Sequence, residues 1–299
     1  MSVRVLAYAK INLHLKVLFP RPDGYHEIRT VFQTIGLADE LFLRRRPDGV
    51  VRLECDDPAL PVDESNLCLQ AVRRLQERHP AVAGLDIRLQ KRIPAQAGLG
   101  GGSADAAAVL AGVHHLWAGG IPAGDLVDIA TALGADVSFF LHGGTAAGVG
   151  RGEELILLPD LPPRPVLIVC PAQSVSTSWA YGRLNFILTK AGYNTKIPPS
   201  FRGLSSAEVF LDDGENDFES VVFSEFPGLK TIKHALLEVG ASRAMLSGSG
   251  SAVFGLFTDE DHCQQAAKHL QGRLSLVRIF RTNLFPRREY HQRLRPWVF

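Results

Sequence analysis

Between Lys91 and Lys190 the chain contains no lysine. The Gly-Lys-Ser/Thr ending of a P-loop is therefore excluded from its glycine-rich middle. Cysteine is scarce: Cys55, Cys68, Cys170 and Cys263 stand far apart and form no C-x-x-C pair, so neither a disulfide framework nor a zinc knuckle is supported. No H-E-x-x-H occurs, and the adjacent His114-His115 lie in a helical pattern, where neighbours face different ways. No apolar run approaches the roughly 20 residues of a membrane span. The N-terminus enters a strand pattern directly, without a signal peptide, which predicts a cytoplasmic protein with no membrane partner. A formal net charge of +1 provides no field to gather nucleic acid, and the short clusters Arg44-Arg45-Arg46 and Arg287-Arg288 read as solvated faces. Internal repeats and low-complexity segments are missing too, and no protein partner is evident.

What the chain does have is glycine in one telling place. Pro94-Ala95-Gln96-Ala97-Gly98-Leu99-Gly100-Gly101-Gly102-Ser103-Ala104 lies between a strand pattern and a helix pattern. Upstream, Leu85, Ile87 and Leu89 alternate with polar residues; downstream, Ala106, Val109, Leu110, Val113, Leu116 and Trp117 recur at helical spacing. A glycine-rich bend opening a helix leaves backbone N–H groups at the positive end of the helix dipole, and phosphate is the usual anion there. Glycine lacks Cβ, so the main chain can approach that anion and take positive φ. The dinucleotide fingerprint is excluded, because Ser103 stands where its third glycine belongs.

At 299 residues the chain is long enough for one large or two medium domains. Two strands, Val3 to Ala7 and Ile11 to Leu15, are expected to flank Tyr8-Ala9-Lys10. A turn is expected at Pro20 to Gly24, and further strands at Ile28 to Ile35 and Leu41 to Leu43. Glu64 to Arg78 reads as a helix with Leu67, Ala71, Val72 and Leu75 on one face and Ser65 as its cap. A short helix from Asp125 to Leu133 stops at Gly134, and glycines at 143–144 and 150–152 punctuate a hairpin. Pro159 to Pro165 is the clearest linker and sets the expected boundary between residues 1–160 and 161–299. The second half reads as a buried strand at Val166 to Cys170, a long loop from about Gly192 to Gly214, a helix at Ile232 to Val239, a strand at Ala252 to Phe257, a helix at His262 to Leu270 and a strand at Leu276 to Phe280.

Five pieces stand in one order: Ala9-Lys10-Ile11-Asn12-Leu13, Pro22-Asp23-Gly24-Tyr25-His26-Glu27, the glycine bend, Leu133-Gly134-Ala135-Asp136, and Ser247-Gly248-Ser249-Gly250-Ser251. From about Ala7 to Leu256 the chain resembles the GHMP kinase superfamily, most closely its branch acting on a cytidine-diphosphate-linked methylerythritol of non-mevalonate isoprenoid synthesis. The resemblance implies an α+β, two-domain GHMP kinase fold with the active site in the cleft between domains. It implies phosphoryl transfer from ATP, with Mg2+, to a tertiary hydroxyl of a small molecule carrying a cytidine diphosphate group. Residues Pro94 to Ala104 would cradle ATP, Ser103 adding a hydroxyl that could meet the ATP-bound Mg2+; no dedicated metal cage is visible. Ala104 stands where the family usually has a second serine, and Ser138 where a proline is common.

By the same resemblance Asp136 is the catalytic aspartate, accepting the substrate hydroxyl proton, and Lys10 pairs with it and stabilises developing charge. Tyr25 and His26 would hold the cytosine, with Tyr181 closing the stack and Trp179 as the alternative. Asn12, Gly248 and Ser249 complete the expected substrate contacts. Two other readings stay open: another small-molecule GHMP kinase, such as one acting on mevalonate or homoserine, and a catalytically silent nucleotide sensor.

Overall fold

The structure is a computed structural model, described here for residues 1–191 and 207–293, with no side-chain statement for residues 186–191. Its N-terminal part opens with two long strands, β1 (Ser2–Pro20) and β2 (His26–Arg46), then β3 (Val51–Cys55), α1 (Leu67–Arg78), β4 (Gly84–Gln90) and α2 (Gly101–Leu116). Helices α3 (Ala123–Leu133) and α4 (Ala135–His142) and the hairpin β5 (Thr145–Val149) and β6 (Glu154–Leu157) follow. The remainder comprises β7 (Pro165–Pro171), α5 (Thr177–Ala191), α6 (Val209–Asp213), α7 (Phe218–Glu225), α8 (Pro227–Glu238), β8 (Arg243–Leu246), β9 (Val253–Leu256), α9 (Glu260–Arg273), β10 (Val277–Asn283) and α10 (Arg287–Arg293).

β1 pairs antiparallel along its length with β2, whose other edge takes β4 against residues 40–46 and β5 against residues 30–33. β3 and β6 close the two ends of this six-stranded sheet. The second sheet runs β10-β7-β9-β8, all antiparallel. Three cores result. Helices α1 to α4 cover one face of the first sheet, burying Val72, Leu75, Val109, Leu110 and Phe139. Helices α5, α7, α8 and α9 cover the outer face of the second, around Phe218, Leu236, Phe257 and Leu270. Between the sheets lie Ile11, Leu13, Ile35, Leu99, Ile168, Met245 and Phe254. The chain end returns to the first half: Phe285 N–H donates to the Thr34 carbonyl at 2.9 Å, and Phe285 and Tyr290 bury in the first core.

Several sequence expectations are corrected. The two strands around Tyr8-Ala9-Lys10 are one continuous β1, bent by register shifts at Tyr8/Lys10 and Asn12/His14 rather than broken by a turn. Ile28 to Ile35 and Leu41 to Leu43 are likewise one strand, β2. Both run unbroken because the long antiparallel ladder satisfies their backbone groups where local pattern fades. Asn66, not Ser65, caps α1, its side chain accepting from Cys68 N–H at 2.9 Å; Ser65 donates instead to Asp63. Of the loop expected over 192–214, residues 192–206 lie outside the described residues, and Val209–Asp213 forms α6. The hairpin punctuated by the glycines, with 143–144 before β5 and 150–152 at its turn, the Gly134 stop after α3 and the buried strand after Pro159–Pro165 all stand as expected.

Candidate active site

Alternation along β1 builds one wall of the cleft. Ala9, Ile11 and Leu13 face the layer between the sheets, so Lys10 and Asn12 share the opposite face. That face meets a cavity of about 600 Å³ whose lining includes Lys10, Asn12, Pro94 to Ser103, Asp136, Tyr181, Gly248 and Ser249. Elements distant in sequence converge here because the glycine bend is pinned on both sides. Lys10 N–H donates to the Leu99 carbonyl at 3.0 Å, and Ala252 N–H donates to the Ala97 carbonyl at 3.0 Å. Ser247 Oγ donates to the Gly98 carbonyl at 2.9 Å.

Lys10 is 4% exposed, and an ammonium so buried needs partners. It finds two: Asp136 Oδ2 at 3.3 Å and Asn12 Oδ1 at 2.7 Å. A relay of hydrogen bonds fixes which way Asn12 points. Thr30 Oγ1 donates to the His14 carbonyl at 2.8 Å and accepts from Asn12 Nδ2 at 2.7 Å, which turns the Asn12 oxygen toward Lys10. Asp136 sits in the first turn of α4, where the helix dipole favours a carboxylate.

The glycine bend carries positive φ at Gln96, Gly98 and Gly100, and Gly100 enters α2 in the left-handed region with no side-chain cap. A helix start with no side-chain cap is where main-chain amides can meet an anion. Ala104 is buried beneath this turn and lies behind the lining. Ser138, inside α4, hydrogen-bonds Thr131 at 2.9 Å.

Tyr181 stacks on His26, with ring centroids 5.2 Å apart and planes inclined by 28°. Its phenol is pushed up to about 12, chiefly by burial and then by the charge of Asp136. The two rings touch, so a base cannot lie between them without their parting. His26 Nε2 is buried and makes no hydrogen bond. Tyr25 is 56% exposed, and one of its faces is covered by the Arg151 guanidinium at 4.9 Å. Trp179 packs against Phe226 at 5.3 Å and is not part of the lining. Of the two candidates Tyr181 is the one that lines the cavity, where Phe218 joins it.

Sequence reasoning missed several lining residues. Asn66, Leu67, Lys91, Arg151 and Thr177 line the cavity too, with Lys91 beside Gly101 and Leu67 beside Gly102. Thr177 Oγ1 lies 2.9 Å from Ser249 Oγ. Lys91 is buried between Asp39 and Asp105, donating to Asp105 Oδ2 at 2.7 Å and also to Asp39 Oδ2. Burial opposes the Lys91 charge, but the two carboxylates outweigh it and raise its pKa. Asp105 is pushed up to about 8, first by burial and next, against the pull of Lys91, by the Asp39 charge. Asp39 Oδ1 also accepts from Ile93 N–H at 2.8 Å, anchoring the approach to the bend. No local pattern announces this triad, whose members come from β2, the end of β4 and α2. Among the described residues no cluster of three or more His, Cys, Asp or Glu could hold a metal ion, and no helix is long and apolar enough to cross a membrane.

Two family models match: GHMP kinases N terminal domain over residues 66–144 and GHMP kinases C terminal over residues 205–275. A 4-diphosphocytidyl-2-C-methyl-D-erythritol kinase of Solibacter usitatus is 46% identical over 259 residues, covering 85% of this chain and 81% of that one. A Synechococcus sp. protein of the same name is 40% identical over 292 residues, covering 94% of each. Among solved structures, a 4-(cytidine 5'-diphospho)-2C-methyl-D-erythritol kinase superposes with a TM-score of 0.78 at 35% identity, over 94% of this chain and 99% of that one. A homoserine kinase from Cytophaga hutchinsonii, at 21% identity and a TM-score of 0.70 over 95% of each chain, shares the fold. The chain belongs to the GHMP kinases, ATP-dependent phosphotransferases, and within them to the family of 4-diphosphocytidyl-2-C-methyl-D-erythritol kinases.

Proposed function

We propose that this protein transfers the γ-phosphoryl group of ATP to the 2-hydroxyl of 4-diphosphocytidyl-2-C-methyl-D-erythritol. The observation that carries the reading is the Lys10–Asp136 pair, 3.3 Å apart, lining one cavity with the uncapped glycine bend. Phosphoryl transfer asks mainly for positioning and charge stabilisation. The first-turn amides of α2 receive the transferring phosphates, and the adenosine end extends toward Asn66, Leu67 and Lys91. Asp136 accepts the proton of the attacking alcohol, a role worth typically about 10²–10⁴-fold. Lys10, fixed by Asn12, presents its ammonium to the oxygen charge that grows as the phosphoryl group moves.

Magnesium would be carried by ATP, and Ser103, which lines the cavity at the head of α2, offers a hydroxyl that could meet it. When bound, the ion neutralises phosphate charge; the alignment of the alcohol falls to the chain's own residues. The cytidine end is assigned to Tyr25, His26 and Tyr181, near which Arg151 brings a cation suited to a diphosphate.

The test is a coupled assay with purified protein and Mg-ATP, comparing the diphosphocytidyl alcohol with mevalonate and homoserine. Turnover confined to the diphosphocytidyl alcohol is expected. Faster turnover of either small alcohol, or ATP binding with no transfer to any of them, overturns the proposal.

A further inference from the structure

One short segment joins three parts of this site. Glu215-Asn216-Asp217-Phe218-Glu219 leads from α6 into α7. Asn216 is 6% exposed, and its amide is fully used. Nδ2 donates to the carbonyls of Leu246 and Gly248, each at 2.8 Å, and Oδ1 accepts from Phe218 N–H at 3.0 Å. Glu219 Oε1 accepts from Leu246 N–H at 3.0 Å, while Oε2 pairs with Lys233 at 2.6 Å. These bonds fix the entry and first glycine of the Ser247–Ser251 bend.

The other side of the segment grips β1. Leu15 N–H donates to the Glu215 carbonyl at 2.6 Å, Asp217 N–H to the Leu15 carbonyl at 3.0 Å, and Val17 N–H to Asp217 Oδ2 at 2.9 Å. The contact lies just downstream of Lys10 and Asn12. Phe218 meets the Tyr181 ring edge-on, centroids 4.8 Å apart, and reaches the cavity itself.

The geometry points to this segment as a positioning element for the acceptor alcohol. Asn216 sets the Gly248–Ser249 wall, and Phe218 sets the plane of Tyr181, each in fixed relation to the strand carrying Lys10. The role of Asn216 needs an amide, because only an amide offers two N–H bonds and an oxygen in one plane. An ionised aspartate of the same shape presents oxygen to two carbonyls. On the phosphotransfer reading the nucleotide belongs to the glycine bend, which the Ser247 loop meets through Ser247 Oγ and Ala252 N–H; Asn216 holds the Leu246 and Gly248 carbonyls instead, so loss of the brace falls first on the Gly248–Ser249 wall.

This role rests on the phosphotransfer reading above, and the experiment separates the two. Steady-state kinetics are measured with Mg-ATP and the diphosphocytidyl alcohol for wild type, Asn216→Asp and Phe218→Leu, alongside thermal melts. The expected result is a KM for the alcohol raised about tenfold or more in Asn216→Asp and about threefold in Phe218→Leu, with the KM for ATP within about twofold of wild type. Should Asn216→Asp lose its cooperative melt, Phe218→Leu, an apolar exchange, decides the matter alone. A folded variant with both constants unchanged, or with the ATP constant raised as much as that of the alcohol, overturns the role. Wild-type protein that leaves the diphosphocytidyl alcohol unphosphorylated brings down the functional reading and this role with it.

Discussion

Lys10 reaches Asp136 from the middle of β1, its ammonium 3.3 Å from a carboxylate at the head of α4. Neither element contacts solvent freely at this point: the lysine side chain is 5% exposed and the aspartate side chain 31%. Both side chains line the cavity, the lysine buried and the aspartate half-buried.

Removing either member is expected to stop turnover and spare the fold. Asp136→Ala lowers kcat by about 10²–10⁴-fold, the usual worth of a positioned base. Lys10→Ala raises the barrier by about 2.7–4 kcal/mol, the worth of a preorganised donor. It also strands the buried Asn12 oxygen, at a stability cost of about 1–3 kcal/mol. Kinetics paired with thermal melts check both; near-normal turnover in either folded variant refutes its role.

Two nearby glycines, Gly98 in the bend and Gly102 in the first turn of α2, respond differently. At Gly98 φ is +75°, and an added Cβ would lie 2.0 Å from the Ser247 carbonyl oxygen. Gly98→Ala therefore loses at least about 1–2 kcal/mol of stability from the backbone conformation alone. At Gly102, inside α2, the nearest neighbour to a Cβ is Leu67 Cδ1 at 3.9 Å. Gly102→Ala is neutral or gains up to about 0.5–1 kcal/mol. Denaturant unfolding distinguishes the two; equal losses contradict the packing of the bend against the Ser247 loop.

Replacing the two candidate aromatics separates their roles. Tyr181→Leu removes the ring stacked on His26 and weakens binding of the cytidine nucleotide by about 1–3 kcal/mol, the usual worth of base stacking. Trp179→Leu, whose ring lies on Phe226, leaves that affinity within about twofold. Calorimetric titration with cytidine diphosphate measures both. A larger effect at Trp179 reverses the assignment.

Asp105 makes stability depend on pH. Its carboxyl is pushed up to about 8 in the fold, from 3.8. Between those values the native state binds more protons than the unfolded chain, so this group's contribution declines as pH rises and levels off above about 8. Asp105→Asn, an isostere that cannot ionise, gains on wild type at each step from pH 4 to pH 8. Melting temperatures across that range test it; a constant difference shows that the group does not titrate there.

Much of the site was legible because it is local. The alternation Ala9-Lys10-Ile11-Asn12-Leu13 sends Lys10 and Asn12 to one face whatever the strand packs against, and the glycine bend between strand and helix exposes amides by covalent geometry. Boundaries were less legible. The break expected near Tyr8 is absent, because pairing with β2 carries β1 through it. Asn66 displaces Ser65 as a cap because the chain turns one residue later than the periodicity of α1 suggests.

The sequence by itself determined the fold class, the glycine bend at the head of a helix and the faces on which the candidate side chains stand. Those follow from rotational period and from glycine's missing Cβ, which act within a few residues. The tertiary structure alone decided that Asp136 meets Lys10, that Tyr181 rather than Trp179 lies on His26, and that Lys91 is locked between two buried acids. Each is a meeting of segments far apart in the chain, set by how two sheets and their helices pack, and packing is a sum over many weak contacts that no local pattern records.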